Sequence, residues 1–236
     1  MVETAVETQF NGLEMLLASE GPHDELLAEL KIKNCKYATA QHVAQARIAA
    51  GRENSVSEHG AYVAENFIYA PDGKIYITSA DYSPILKHAK DATNAYLQDK
   101  EFCVPEKELK EIIKVANEDA NKQVGERRVY ILDRNEVRNG MDTSKLEQYD
   151  FARFLFKENT KAYGDWLSKL SVSNISVELV DAQYQTKQKW AFLSIKRKQA
   201  FARGFWILNV DNKSRLDGDW DLTYVGARGV REIQKC

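Results

Sequence analysis

The spacing of apolar residues changes along this chain, and each change marks a change of predicted element. Val6, Phe10, Leu13 and Leu17 recur at three- and four-residue steps, the stripe of a helix. Gly21-Pro22 breaks the stripe, and Leu26, Leu27 and Leu30 open a second helix. Asp24 and Glu25 are well placed at its positive N-terminal end. A third helix is predicted from about Ala38 to Ala50, with Gly51 just past its end. Residues 1–51 therefore read as a helical N-terminal region.

From Tyr62 the period shortens to two. Tyr62 to Tyr69 is rich in aromatic and branched residues, Pro71-Asp72-Gly73 is a turn, and Ile75 and Ile77 alternate with Tyr76 and Thr78. This pattern predicts a β-hairpin. Ser83-Pro84 reads as an N-cap and first helical residue, and Ile85, Leu86, Ala89, Ala92, Tyr96 and Leu97 follow at helical spacing. Pro105 opens another helix with Leu109, Ile112, Ile113 and Ala116 as its apolar face. Arg128 to Leu132 reads as a strand, and Ser144 to Leu170 as helical in one or two pieces. In the last quarter Ile175, Val177 and Leu179 alternate with polar residues. Trp190–Ile195, Gly204–Val210 and Trp220–Val225 are further strand candidates.

Helices and strands are thus partly segregated. The expected fold class is α+β: N-terminal helices and a central helical layer with a mainly antiparallel C-terminal sheet. No Gly/Ser/Pro-rich linker divides residues 1–51 from the α+β main body, 52–236, so one compact unit is expected.

Composition narrows the class further. With 44% hydrophobic and 29% charged residues, the chain is an ordinary soluble globular protein rather than a disordered one. No apolar run approaches bilayer length, and Met1 to Gln9 carries Glu3 and Glu7 without a basic leader. No membrane association is expected, and the predicted location is cytoplasmic. Cys35, Cys103 and Cys236 are odd in number and widely spaced, which fits a reduced intracellular protein without a disulfide framework. Cys35 and Cys103 read as small buried hydrophobes.

Charge is distributed unevenly, and this gives the first functional lead. Residues 182–210 hold six Lys or Arg and no Asp or Glu, while the whole chain has a formal charge of −2. The same stretch carries six aromatics. A binder of single-stranded nucleic acid needs cations to replace phosphate counterions and flat rings on which bases stack. Lys187, Lys189, Trp190, Lys196, Arg197, Lys198, Arg203 and Trp206 form the candidate nucleic-acid-binding set. The competing reading makes the aromatics core and the lysines a solvated rim, and a pI near 6.1 favours it.

Two further patterns bear on chemistry. Asp217, Asp219 and Asp221 would share one face of a strand, and such carboxylates suit Mg²⁺ or Mn²⁺. With Glu178 or Asp181 they would form a metal site for phosphodiester chemistry. The competing reading makes Asp217-Gly218-Asp219 a turn, with Asp221 on a wet strand face. Gly226-Ala-Arg228-Gly229-Val-Arg231 is a glycine and arginine pattern suited to holding a phosphate or carboxylate; the competing and favoured reading makes it a C-terminal turn with two surface arginines.

His23, His42, His59 and His88 show no metal-ligand spacing. A P-loop, a dinucleotide fingerprint and a G-x-S-x-G elbow are absent from the sequence. No residue is assigned a catalytic role, and no cofactor is expected outside the metal reading. Three functions follow: a nucleic-acid-binding or accessory protein using residues 187–206, a scaffold forming homo-oligomers through its acidic N-terminal and basic C-terminal surfaces, or a divalent-metal-dependent phosphoesterase or nuclease.

Overall fold

The structure is a computed structural model. It describes residues 3–19, 21–98, 100–179, 199–210, 213–220 and 226–233, with the backbone alone at Asn209, Val210, Asp219 and Trp220. The chain opens with two strands, β1 (Glu3–Phe10) and β2 (Leu13–Ser19), rather than the expected helix. Asn11 and Gly12 join them at φ 48° and 77°. A two-residue turn with both residues at positive φ matches the twist of an antiparallel pair, which an Asn-Gly step provides. That local signal outweighs the helical spacing of Val6, Phe10, Leu13 and Leu17.

Helix α1 (His23–Ile32) follows, then β3 (Lys36–Tyr37) and α2 (Ala40–Ala50). Thr39 caps α2 by accepting from the His42 backbone N–H at 3.3 Å, and Gly51 ends it at φ 77°. Short helix α3 (Ser55–Glu58) leads into β4 (Ala61–Tyr69) and β5 (Ile75–Thr78), the hairpin the alternation predicts. Ser83 caps α4 (Pro84–Lys87), which continues as α5 (Ala89–Leu97). Then come β6 (Phe102–Cys103), α6 (Glu106–Asp119), β7 (Val129–Leu132), α7 (Arg134–Val137) and β8 (Met141–Asp142). Helices α8 (Asp150–Phe156) and α9 (Thr160–Lys169) precede the last strands. These are β9 (Asn174–Glu178), β10 (Phe201–Val210), β11 (Lys213–Trp220) and β12 (Ala227–Glu232). The strand candidate at 190–195 and most of that at 220–225 lie outside the described residues.

The fold is α+β, with a mixed main sheet. Its strands run in the order β7-β5-β4-β10-β11-β9-β8, with β6 beside the start of β10. All its pairs are antiparallel except β9 with β11. A smaller sheet, β1-β2-β12-β3, joins the N-terminal hairpin to the last strand.

Every residue of β4 is buried, so both faces of the main sheet are covered. Ala61, Val63 and Phe67 face a core shared with α2, α8 and α9 through Val43, Phe151, Leu155 and Leu167. Tyr62 and Ile68 face the opposite core with α4, α5 and α6 through Ile85, Ala92 and Ile112. In the short strand β6 Phe102 points inward, so its neighbour Cys103 points out and is exposed; Cys35 is half-buried. Neither thiol is the fully buried hydrophobe that the sequence suggested.

Several charges lie within this interior. The β1–β2 register shifts between Val6 and Thr8, and the bulged Glu7 turns toward Arg228 of β12. Both side chains are about 96–97% buried, with Arg228 Nε 2.5 Å from Oε2 and Nη2 donating to Oε1 at 2.9 Å. Arg228 is thus no surface arginine: its alternating place on a strand covered on both sides puts it inside. Arg47 of α2 is fully buried and donates to four acceptors on other segments, the Val56, His59 and Ile207 carbonyls and the Tyr163 hydroxyl, at 2.8–3.1 Å.

Two buried titrating groups have opposite effects on stability. Burial pushes the Glu65 carboxyl from 4.5 up to about 7, although it accepts from the Ala40 N–H at 3.0 Å. Burial lowers His23 from 6.5 to about 4. The Glu65 contribution is fully present below pH 4.5 and is lost as pH rises through 7, because the unfolded chain releases its proton first. The His23 contribution is present above pH 6.5 and is lost as pH falls toward 4. Between these limits the two slopes oppose each other in the wild type. Glu65→Gln is therefore expected to stabilise the protein on the order of 3 kcal/mol at pH 8 and to have little effect at pH 4.5. Urea midpoints measured across pH check this, and parallel curves for variant and wild type would refute it.

Candidate nucleic-acid interface

The strands that flank the candidate segment in sequence meet at one end of the main sheet. β9 runs parallel to β11 and β10 runs antiparallel to it, so the end of β9 and the start of β10 lie at the same edge of the layer. Glu178 at the end of β9 stands opposite Asp217, and Gly204 near the start of β10 stands opposite Trp220. Leu179 and Ala200, between which most of the basic and aromatic stretch falls in sequence, thus both lie at one sheet end. Ala200 is anchored where Val104 N–H donates to its carbonyl at 2.9 Å. Lys187, Lys189, Trp190, Lys196, Arg197 and Lys198 lie outside the described residues.

The two remaining members of the set are held by the fold. Arg203 is only 3% exposed, and its Nη2 lies 2.7 Å from Glu101 Oε1, just before β6. Its charge is met within the chain instead of facing solvent. Trp206 is half-buried, with its ring centroid 4.5 Å from that of the buried Tyr62 in an edge-on arrangement. Gly60 leaves room for that ring, since a Cβ there would come within 2.0 Å of it. Tyr62 in turn meets His23 at 6.2 Å, and His23 meets Tyr37 at 5.6 Å, so Trp206 caps an aromatic row reaching α1.

The acidic triplet begins on a strand, as the metal reading expected, and not on the turn of the competing reading. Asp217-Gly218-Asp219 is strand, not turn, because β11 runs through to Trp220. Asp217 is buried, with its Oδ2 3.2 Å from Arg215 Nη2, and Arg215 also meets Glu178 at 3.1 Å. The β10–β11 register shifts between Gly204 and Trp206, so even spacing along β11 does not by itself put carboxylates on one face. The side chain of Asp219, and Asp221 altogether, lie outside the described residues. Among the described residues, no three His, Cys, Asp or Glu are grouped to hold a metal ion.

Glu101 and Arg215 are the local charges that the sequence did not single out, while Glu178, a candidate metal partner there, meets Arg215 instead. Arg203 and Glu101 are 102 positions apart, and nothing in either segment announces the pair. The acidic N-terminus also turns inward: Glu7 pairs with Arg228, and Glu14 with Arg231 at 2.7 Å. No helix among the described residues is long and apolar enough to cross a membrane.

No protein-family model matches the sequence, and no curated protein matches it. A solved structure is similar over nearly the full length of both chains, covering 99% of this chain and 98% of that one, with a TM-score of 0.58 and 11% identity. It comes from work on the accommodation of massive sequence variation in Nanoarchaeota by the C-type lectin fold, and the likeness establishes that this chain shares that fold.

Proposed function

We propose that this chain is a recognition protein, without catalysis, that uses residues 187–198, in the segment between β9 and β10, to bind single-stranded nucleic acid. The observation that carries the reading is that the end of β9 and the start of β10, which flank the cationic, aromatic sequence, lie at one end of the main sheet. Both flanks are fixed by a hydrogen-bonded layer. A variable or specialised segment needs such a frame, because its own residues then need not stabilise the fold. The similar structure's fold is described as accommodating massive sequence variation, which supports the same division between frame and displayed residues. The working cations in this reading are Lys187, Lys189, Lys196, Arg197 and Lys198, with Trp190 for stacking; Arg203 and Trp206 belong to the frame.

The other readings draw less support. In the assembly reading the acidic N-terminus would meet a second copy, yet Glu7 and Glu14 are already engaged by Arg228 and Arg231 of the same chain. In the phosphoesterase reading Asp217 would hold a metal ion, yet it faces Arg215.

Fluorescence anisotropy with a labelled oligothymidylate tests the proposal. Lys187→Glu with Lys189→Glu and Arg197→Glu is expected to weaken binding about tenfold or more, and to flatten a log–log salt slope near −0.7 per phosphate contact. Lys114→Glu on the exposed face of α6 serves as the control and should leave affinity unchanged. Wild-type binding that ignores salt, or a triple variant equal to wild type, would sink the reading.

A further inference from the structure

A second site lies where the small sheet runs out, beside Arg231 of the C-terminal glycine and arginine pattern. Strand β3 pairs with β12 only at Tyr37 with Gly229 and Lys36 with Val230. Before β3, Asn34 at φ 56° turns the chain out of α1. Beyond Val230, β12 has no paired neighbour on that side among the described residues, and a cleft of about 700 Å³ opens there. Backbone alternation directs its polar groups. Ala38 N–H donates to the Arg228 carbonyl on the β3 side, while Ile233 N–H donates to Gly12 on the β2 side. Glu232 lies two residues beyond Val230 on the same alternation, so its N–H faces the open side.

The cleft wall is cationic. Among the described residues, four Lys or Arg line it against two Glu, and Glu14 is held by Arg231. Lys33 has a loose partner, Glu29, at 3.6 Å. Lys31 and Lys36 are exposed and in no ion pair among the described residues. His42 completes the polar side. Its Nδ1 accepts the Thr39 N–H at 3.2 Å, which leaves the ring proton on Nε2 as a donor. Burial, then the nearby Lys36 and Lys157, hold the ring below its usual range and therefore neutral at neutral pH. Leu13, Val230 and Ile233 supply an apolar wall.

We propose that this cleft binds a small organic phosphate monoester. Two ammonium groups in no ion pair among the described residues match a dianionic head, the neutral imidazole adds a hydrogen-bond donor, and the apolar wall takes the organic body. A monocarboxylate would leave one lysine unanswered. The volume lies within the ordinary range of small-molecule sites, about 300–1,000 Å³.

Calorimetric titration of the full chain with phenyl phosphate, and separately with inorganic phosphate, tests this. Phenyl phosphate is expected to bind several-fold more tightly, because only it reaches the apolar wall. Lys31→Glu with Lys36→Glu is expected to weaken it at least about tenfold while leaving the thermal midpoint unchanged, since both side chains are exposed and in no ion pair among the described residues. His42→Gln keeps an acceptor for Thr39 and a donor for the ligand, so it should bind nearly as wild type, whereas His42→Leu should not. Equal affinity for the two probes, no heat at millimolar concentration, or a charge-reversed variant that binds like wild type would each overturn the proposal. The two lysines lie outside residues 187–198, so failure of the nucleic-acid reading would not affect this result.

Discussion

A chain carrying Glu7→Gln is expected to lose about 3–5 kcal/mol of stability, the usual consequence of removing one partner of a buried ion pair. Arg228 would keep its charge inside the protein, with the Gly60 carbonyl at 2.7 Å as its remaining strong acceptor. Ser55, whose hydroxyl donates to Glu7 Oε1 at 2.7 Å, would exchange a charged partner for a neutral one. The effect should spread beyond one contact, because this pair links β1, β12 and α3. For a chain of this length the loss corresponds to a thermal shift on the order of 10 °C. The double replacement Glu7→Leu with Arg228→Met should recover part of it, since it removes the unmatched charge as well as the pair. Urea denaturation of the three proteins decides the matter: a Glu7→Gln midpoint close to wild type would show that water or rearrangement compensates Arg228.

Arg47→Leu is the second large effect. The guanidinium has no carboxylate partner among the hydrogen bonds that hold it; it is held by three carbonyls and one hydroxyl. Removing it strands those acceptors in the core, each at a cost of about 1–3 kcal/mol, partly offset because a charge no longer has to be buried. A net loss of about 3 kcal/mol or more is expected. Arg47→Lys should rescue little, because one ammonium group cannot reproduce a planar fork reaching α3, β10 and α9. Hydrogen exchange would locate the damage, with lost protection expected in β10 near Ile207 and in α9 near Tyr163. Protection equal to wild type at both places would contradict the role assigned to Arg47.

Much of the element pattern was readable from local chemistry. The Pro71-Asp72-Gly73 turn, the Ser83-Pro84 cap, Pro105 before α6 and Gly51 after α2 each act within a few residues, and each stands where its chemistry requires. The N-terminal hairpin was readable too, from Asn11-Gly12. There the apolar residues also fit a helix, and the turn chemistry of Asn11-Gly12 outweighs that spacing. The parallel pairing of β9 with β11 had no local signal, because it joins segments about 40 residues apart.

The candidate sites divide the same way. The basic and aromatic content of residues 182–210 is a property of the sequence. The sequence did not show that Arg203 would meet Glu101, that Arg228 would turn inward to Glu7, or that Asp217 would face Arg215. Nor did it mark the cleft beside β12, whose lysines, histidine and arginine come from separate elements.

By itself, then, the sequence determined the turns, caps and strand-forming stretches, the mixed helix–strand class and the stock of charges. Tertiary structure decided which charges were neutralised and which were left to solvent. The physical reason is range. A turn or cap draws its free energy from neighbours along the chain, whereas a buried charge is settled by whichever partner the packed sheets bring within about 3 Å, from any distance in sequence.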